Sequence, residues 1–386
     1  MEDLPRKKIR GNGTGKSDTA GSGKVDEKQT NGPLTYDILR IVFKELNGVE
    51  LSRASMVCRS WLEAANDEIR TRGPTYFIQD CKLLPNQKWS MERFKAQSVK
   101  KLQIKPALGL FFTAPSVPFS QSDCHCKVLP PNCDTVTLGT HGVVFNNKEI
   151  EGNLENIVCA FLPKIPDVTI KTFVIGDNST TKNDLSVSVE NYSEEIKKVL
   201  TTSEKDSSRS KCLLLFCDLR GRNLAIKLAN SLKKCYPMDE LSVWGGIAKD
   251  VLVCNAKDSK NDRCGEFAFC VGITLTGAID SWSMIVGKNY KTKECVEQRI
   301  KSFRSRVRLK KHSMGFMFAC CARGEYMFDE CNVESTIFKK YFPEVPLVGC
   351  FGDGEFGRNS LPNESSNKKA KWYNVTSTIF LIITYG

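Results

Sequence analysis

The sequence predicts a small module of helices followed by a larger mixed α/β region, together the class α + α/β. Three observations carry this. From Leu34 to Arg72 the apolar residues recur three and four positions apart, the spacing of one helix face. From Leu102 onward they gather in short runs bounded by glycine, proline and polar clusters, the pattern of strands. Two of these runs, Cys212–Cys217 and Gly315–Cys320, each lead into the same order of helix, aromatic–proline break and returning strand, so one supersecondary unit occurs twice.

In chain order, residues 1–33 are rich in Gly, Lys, Ser, Thr and Asp and nearly lack large apolar side chains, so they read as a disordered basic tail. Arg6-Lys7-Lys8-Ile9-Arg10 fits a nuclear import signal or a plain charged tail. The helical module spans 34–75. In its first helix, Thr35 to Leu46, the side chains Ile38, Val42 and Leu46 form one row, Leu39 and Phe43 a second, and Ile41 widens the stripe. That is more apolar surface than a helix with one buried side requires. Asn47-Gly48 breaks it. A second short helix carries Leu51, Ala54 and Val57, and Cys58 and Trp61 continue its apolar row opposite Arg53 and Arg59. Leu62 to Arg72 is the last helix, ended by Gly73-Pro74. A segment of ~40 residues cannot bury this much apolar surface alone. The helices therefore need the rest of the chain, another protein, or both.

Residues 76–100 hold Tyr76, Phe77, Leu83, Leu84, Trp89 and Phe94, too apolar for a free linker, and are expected to pack the module against the next region of the chain. In 101–210, strands are expected at Leu102, Ile104 and Leu108–Phe112, on both sides of the glycine turn in Val136–Phe145, at Ile157–Leu162 and at Val168–Ile175, then a short helix at Glu194–Leu200 and a polar loop. In 211–386 the first unit runs through a helix from Asn223 to Cys235, the Tyr236-Pro237 break and a strand at Leu241–Gly246. The second runs through a helix opened by Asn332, the Phe342-Pro343 break and a strand at Val345–Cys350. Strands at Phe267–Leu275 and Ser281–Val286 and a helix from Thr292 to Val307 lie between them, and the last strand is Val375–Tyr385.

The 386 residues allow two or three domains and an ample core. The formal net charge of +12 raises nucleic-acid binding, but the basic runs at 6–10, 100–105, 304–311 and 368–371 are scattered and lack interleaved aromatics, so they read as solvated faces. The 17 cysteines are odd in number and the first residues carry no apolar signal-peptide core, which points to reduced thiols in cytosol or nucleus. The late apolar run Ile379–Tyr385 is too short to span a bilayer, so no membrane partner is expected.

The order Leu34-x-x-Asp37-Ile38-Leu39-x-x-x-Phe43-x-x-Leu46, Glu50-Leu51, Val57-Cys58-Arg59-x-Trp61 resembles an F-box, with Thr35 where that family usually has proline. The resemblance implies docking to the Skp adaptor, and through it to cullin, of an SCF-type ubiquitin ligase. The docking residues carried over are Leu34, Ile38, Leu39, Phe43, Leu46, Leu51, Val57, Cys58 and Trp61, with Phe43 and Trp61 as anchors; Leu46→Asp is expected to abolish docking. Downstream, GFMFACCARG at 315–324, the Phe342-Pro343 break and Gly352-Asp353-Gly354-Glu355-Phe356-Gly357 resemble the C-terminal half of a FIST domain, over roughly 100–386. Together they resemble F-box-only proteins that carry a FIST domain. That implies a non-catalytic substrate receptor presenting proteins for ubiquitination and proteasomal degradation. The segment Asn359–Trp372 is shorter than the insertion expected in that family.

A ligand or substrate pocket is expected where two strand ends meet: Cys320, Cys321, Arg323, Gly324, Gly352, Asp353, Gly354 and Glu355. Arg323 would clamp a carboxylate, Asp353 and Glu355 would hold an amine, and the glycines would let a ligand approach the backbone. Against this stands the plain reading of tight turns with Arg323 paired to a nearby carboxylate. An arginine beside Cys320 would lower its thiol pKa and leave it open to alkylation, unless the thiol is simply buried. Asp123-Cys124-His125-Cys126 and Cys133 do not match a zinc finger or ribbon, so no metal is expected there, and no cofactor elsewhere. The histidines are His125, His141 and His312; His312 precedes the strand that Cys320 ends, so no Cys–His pair for catalysis is expected. Two alternatives stay open: a small-ligand, amino-acid-like sensor with the helices as a structural cap, and a nuclear basic protein.

Overall fold

The chain begins its described structure with α1 (Tyr36–Glu45), α2 (Gly48–Ala54) and α3 (Arg59–Thr71). The computed structural model describes residues 35–81, 101–117, 133–152, 155–177, 182–201, 211–236, 241–254, 265–360 and 371–386, with Phe94, Gln97, Ser98 and Leu129 between them. Tyr36–Gly386 form one compact unit.

The Asn47-Gly48 break is a helix start. Asn47 Oδ1 accepts from the N–H groups of Val49 and Glu50 at 3.0 Å, and Glu50 Oε2 accepts from the Asn47 N–H at 2.8 Å, a reciprocal capping box. Gly48 donates its N–H to the Leu102 carbonyl at 3.0 Å, and a Cβ there would strike the Ile104 carbonyl. Arg72, just past α3, ties the same side together. Its Nη2 donates to the carbonyls of Phe43 at 2.8 Å and Lys44 at 3.3 Å, which end α1, and its Nη1 to that of Gln103 at 2.5 Å. One side of the helical module is thereby fixed onto residues 101–104.

The larger region opens with β1 (Thr75–Asp80), β2 (Pro106–Thr113), β3 (Asp134–Gly139), β4 (Gly142–Phe145), β5 (Lys148–Glu151), β6 (Asn156–Pro163), β7 (Val168–Asp177) and α4 (Lys182–Thr201). It continues through β8 (Lys211–Cys217), α5 (Arg222–Cys235), β9 (Leu241–Ile247), β10 (Asp250–Cys254), β11 (Glu266–Gly277), β12 (Asp280–Val286) and α6 (Lys293–Arg304). Last come β13 (His312–Cys320), α7 (Glu325–Phe328), α8 (Val333–Tyr341), β14 (Leu347–Gly352), β15 (Glu355–Gly357), β16 (Tyr373–Asn374) and β17 (Thr378–Tyr385). One sheet has the order β1-β6-β2-β3-β10-β11-β8-β9-β15-β16, with β7 also on β11; the other has the order β12-β17-β13-β14-β4-β5.

Strand alternation shows how the layers stack. Along β8, Cys212, Leu214 and Phe216 face a core shared with Phe316 and Phe318 of β13, whereas Leu213, Leu215 and Cys217 face α4 and α5. Along β13 and β17, Phe316, Phe318, Ile379 and Leu381 face the other sheet, and Met317, Ala319, Phe380 and Ile382 face α6 and α8. The order is helix, sheet, sheet, helix. Burial on both faces is why these strands read as continuous apolar runs. Trp244 sits between the sheets, fully buried, with its indole N–H on the Ile379 carbonyl at 3.1 Å and the rings of Phe216, Phe316 and Phe318 around it.

The repeat is present in three dimensions. β8–α5–β9 and β13–α8–β14 are each a parallel strand pair joined by a helix, and β11 and β17 lie antiparallel on β8 and β13. Cys217 stands opposite Ile247 as Cys320 stands opposite Gly352. Other expectations change. The first residues of the segment read as a linker are β1, paired to β6 from Thr75↔Phe161 to Asp80↔Asn156. The short helix at Glu194 begins at Lys182. The first sheet also runs across the boundary between 210 and 211. No helix among the described residues is long and apolar enough to cross a membrane.

Candidate functional site

The helical module divides its apolar residues between two jobs. Leu39, Phe43, Leu51, Ala54, Ala64 and Ala65 are its internal core, with Leu46, Trp61 and Ile69 packed partly buried against them. The Phe43 and Trp61 rings meet edge to face at 5.3 Å between centroids. Three residues expected on a docking face, Leu39, Phe43 and Leu51, are therefore fully buried, because a three-helix module must fill its own centre first. Phe43 cannot anchor a partner directly. Leu34 lies outside the described residues.

The solvent-facing apolar residues are a second set. Ile38, Ile41 and Val42 share the outer side of α1, and Met56, Val57, Cys58 and Leu62 lie around the turn into α3; Ile41 is 66% exposed, Met56 76% and Val57 61%. Seven of the ten large exposed apolar side chains among the described residues fall within 36–62, which makes this concentration unlike the singly scattered apolar residues of an ordinary surface. Ile38, Val57 and Cys58 are residues that the sequence motif places on the docking face. Tyr36, Ile41, Val42, Met56 and Leu62 lie outside that motif, although Ile41 and Val42 sit three and four residues from Ile38, and that spacing is their signal in the sequence.

The strand-end pocket is filled by the protein itself. Arg323 is fully buried and holds Glu334 with both prongs, Nη2 to Oε1 at 2.7 Å and Nε to Oε2 at 3.1 Å. Its remaining N–H groups donate to the carbonyls of Gly287, Tyr290 and Thr376 at 3.2–3.4 Å. The guanidinium has no donor left for a ligand, which corrects its role as a clamp. Glu355 is buried as well, accepting the Ser377 N–H at 3.0 Å, and burial pushes its carboxyl well up. The glycines serve close chain crossings instead of ligand approach. A Cβ on Gly352 would strike the Ile247 carbonyl, Gly354 accepts the Ile247 N–H at 2.8 Å, and Gly324 holds a left-handed φ of 61° beside the Glu151 carboxylate. Cys320 is 8% exposed and its thiol is pushed up, first by burial and then by the Glu355 charge, the reverse of the expected activation. Glu334 neutralises the arginine on which that activation depended.

Cys321 and Asp353 do reach the surface, and they meet a residue outside the expected pocket set. His141, in the turn between β3 and β4, places Nε2 2.9 Å from Asp353 Oδ2, and Cys321 Sγ lies 3.9 Å from Asp353 Oδ1. One donor atom from each of the three residues lies within 4.8 Å of the others. The sequence holds only a weak signal for His141, a histidine in a glycine turn. Asp123 to Cys126 lie outside the described residues; Cys133 is buried and its thiol is raised by burial. His312 is at the start of β13, at the far end from Cys320, as expected. A cleft of about 470 Å³ opens elsewhere, between α3 and the ends of β13 and β17, and Arg70, Lys164, Lys310, Lys311 and His312 are among its lining residues.

Comparison with known proteins places these observations. The F-box domain model matches residues 34–72. F-box only protein 22 of Pongo abelii is 22% identical over 354 residues, and that of Homo sapiens 23% over 358; each alignment covers 83% of this chain and 84% of the relative. An F-box/LRR-repeat protein of Arabidopsis thaliana is 37% identical over 75 residues, 18% of this chain and 14% of the relative. The chain therefore carries an F-box domain at 34–72 ahead of a mixed α/β region, and over most of its length it is a distant homologue of the proteins named F-box only protein 22.

Proposed function

We propose that the chain is the substrate-recognition subunit of an SCF-type ubiquitin ligase, docking a Skp-family adaptor, and through it cullin, with its F-box and presenting target proteins on its α/β region for ubiquitination and proteasomal degradation. F-box proteins as a class are substrate adaptors and not catalysts. The observation that carries the reading is the uncovered apolar set on α1 and the α2–α3 turn, on a module whose other side is fixed to residues 101–104. A stable interface of standard size buries about 1,600 Å² in total, and such a set supplies the apolar centre it needs. Holding a target beside a ubiquitin-loaded partner raises effective concentration without chemistry of the receptor's own.

The test is capture of a purified Skp adaptor by the full chain. Leu46 is a poor site to vary, because it packs on the module's core. Ile41→Asp and Val57→Asp alter exposed positions, and each is expected to weaken capture by about 30-fold or more, the loss of an interface hot spot, with the melting temperature unchanged. Undiminished capture by the double variant, or no capture by the natural chain, refutes the reading.

A further inference from the structure

We propose that His141, Cys321 and Asp353 form a binding site for a divalent transition-metal ion of the zinc class, with imidazole nitrogen, thiolate sulfur and carboxylate oxygen as its three protein ligands. The inference does not depend on the ligase reading.

Convergence is the first argument. The three residues belong to three separate turns, after β3, after β13 and after β14, yet their donor atoms lie within 4.8 Å of one another. Zinc bonds of about 2.0–2.3 Å at tetrahedral angles put donors about 3.3–3.8 Å apart. The His141–Asp353 pair, at 2.9 Å, would open slightly, and the Cys321–Asp353 pair, at 3.9 Å, would close slightly. The His141–Cys321 pair, within 4.8 Å, completes the triangle, and the three side chains would rotate to bring all the donors onto one ion.

Preorganisation is the second. β14 lies between β13 and β4 in the second sheet, so the three turns gather at one sheet end. The backbone of each ligand is fixed there: the N–H of His141 donates to the Phe351 carbonyl at 3.0 Å, that of Cys321 to Gly352 at 2.8 Å, and that of Asp353 to Ile247 at 2.9 Å. Strands stand about 4.8 Å apart, so ligands from three neighbouring chain segments converge only when their side chains lean together, as these do.

Access and donor type give the third. Cys321 is exposed, and the His141 and Asp353 side chains are 30% and 27% exposed, so an ion can enter and keep water as its fourth ligand. A thiolate with an imidazole selects zinc-like ions over magnesium or calcium, which prefer all-oxygen sites.

The experiment titrates the full chain, first stripped with a chelator, with Co²⁺ followed by absorbance and with Zn²⁺ in competition against a chromophoric chelator. Expected is one ion per chain, a thiolate-to-cobalt charge-transfer band, and its displacement by Zn²⁺. His141→Gln and Cys321→Ser should each weaken binding at least about 100-fold, the upper end of what loss of an outer-shell partner costs. Cys331→Ser, at another exposed cysteine, and the Cys124→Ser/Cys126→Ser pair should leave it unchanged. A folded chain with no charge-transfer band overturns the proposal. So does binding that survives both ligand variants or vanishes with the Cys124/Cys126 pair.

Discussion

Replacing Arg323 with methionine separates a structural arginine from a ligand clamp. The side chain is fully buried and is the ionic partner of a fully buried Glu334. Methionine fills much of the same volume but strands that carboxylate, and removing one member of a buried pair costs about 3–5 kcal/mol. The carbonyls of Gly287, Tyr290 and Thr376 lose donors as well, at lengths of 3.2–3.4 Å that mark weaker bonds, so the expected loss is about 4 kcal/mol. Against a typical total of 5–15 kcal/mol, this is a large fraction. Urea unfolding of the purified chain, followed by circular dichroism, reads it as a lowered midpoint. The Arg323→Met/Glu334→Leu pair should regain part of the loss, because the Glu334 charge is no longer left without its partner. A clamp awaiting a ligand predicts the opposite, a variant as stable as the natural chain that has lost only a ligand's stabilising effect. A loss under about 1 kcal/mol for Arg323→Met refutes the structural argument.

Two further outcomes rest on buried groups. The Glu149 carboxyl is raised from 4.5 to about 7, mainly by burial, with the Glu334 charge adding. Below pH 4.5 both folded and unfolded states hold its proton; between there and pH 7 the unfolded chain releases it first, so this group's contribution falls as pH rises and levels off above pH 7. Glu149→Gln keeps an acceptor for the Ser335 N–H, now 2.7 Å from Oε1, and should flatten that slope, gaining roughly 3 kcal/mol at most at pH 8 in paired denaturation curves. An unchanged slope counts against it. For the thiols, native alkylation of metal-free protein read by mass spectrometry should label the exposed Cys321 and Cys331 and spare Cys320 until the chain unfolds; early labelling of Cys320 contradicts its burial.

Periodicity made much of the architecture legible. The break at Asn47-Gly48, the twin units around Cys217 and Cys320 and most strands of both sheets stand where spacing and turn residues placed them. Short or polar strands escaped notice: Lys148–Glu151, Glu355–Gly357 and Tyr373–Asn374 carry too few apolar residues to show a period, and pairing to a neighbour is what makes them strands.

The sites divide along the same line. Helical spacing alone determined that residues 34–72 hold more apolar surface than they can hide. Only tertiary packing decided that Phe43 and Leu51 turn inward while Ile41 and Val57 face solvent, since a bundle's interior depends on how its helices are set against each other. Likewise the order Cys-Cys-Ala-Arg-Gly placed reactive residue types at a strand end, but their partners come from other elements, Glu334 from α8, 11 positions on, and Asp353 from the turn after β14. Glu334 takes Arg323, and His141 reaches Asp353 across 212 positions, because the chain brings β4 and β14 side by side in one sheet. Local sequence sets which groups are present at a turn; long-range strand pairing sets which of them meet.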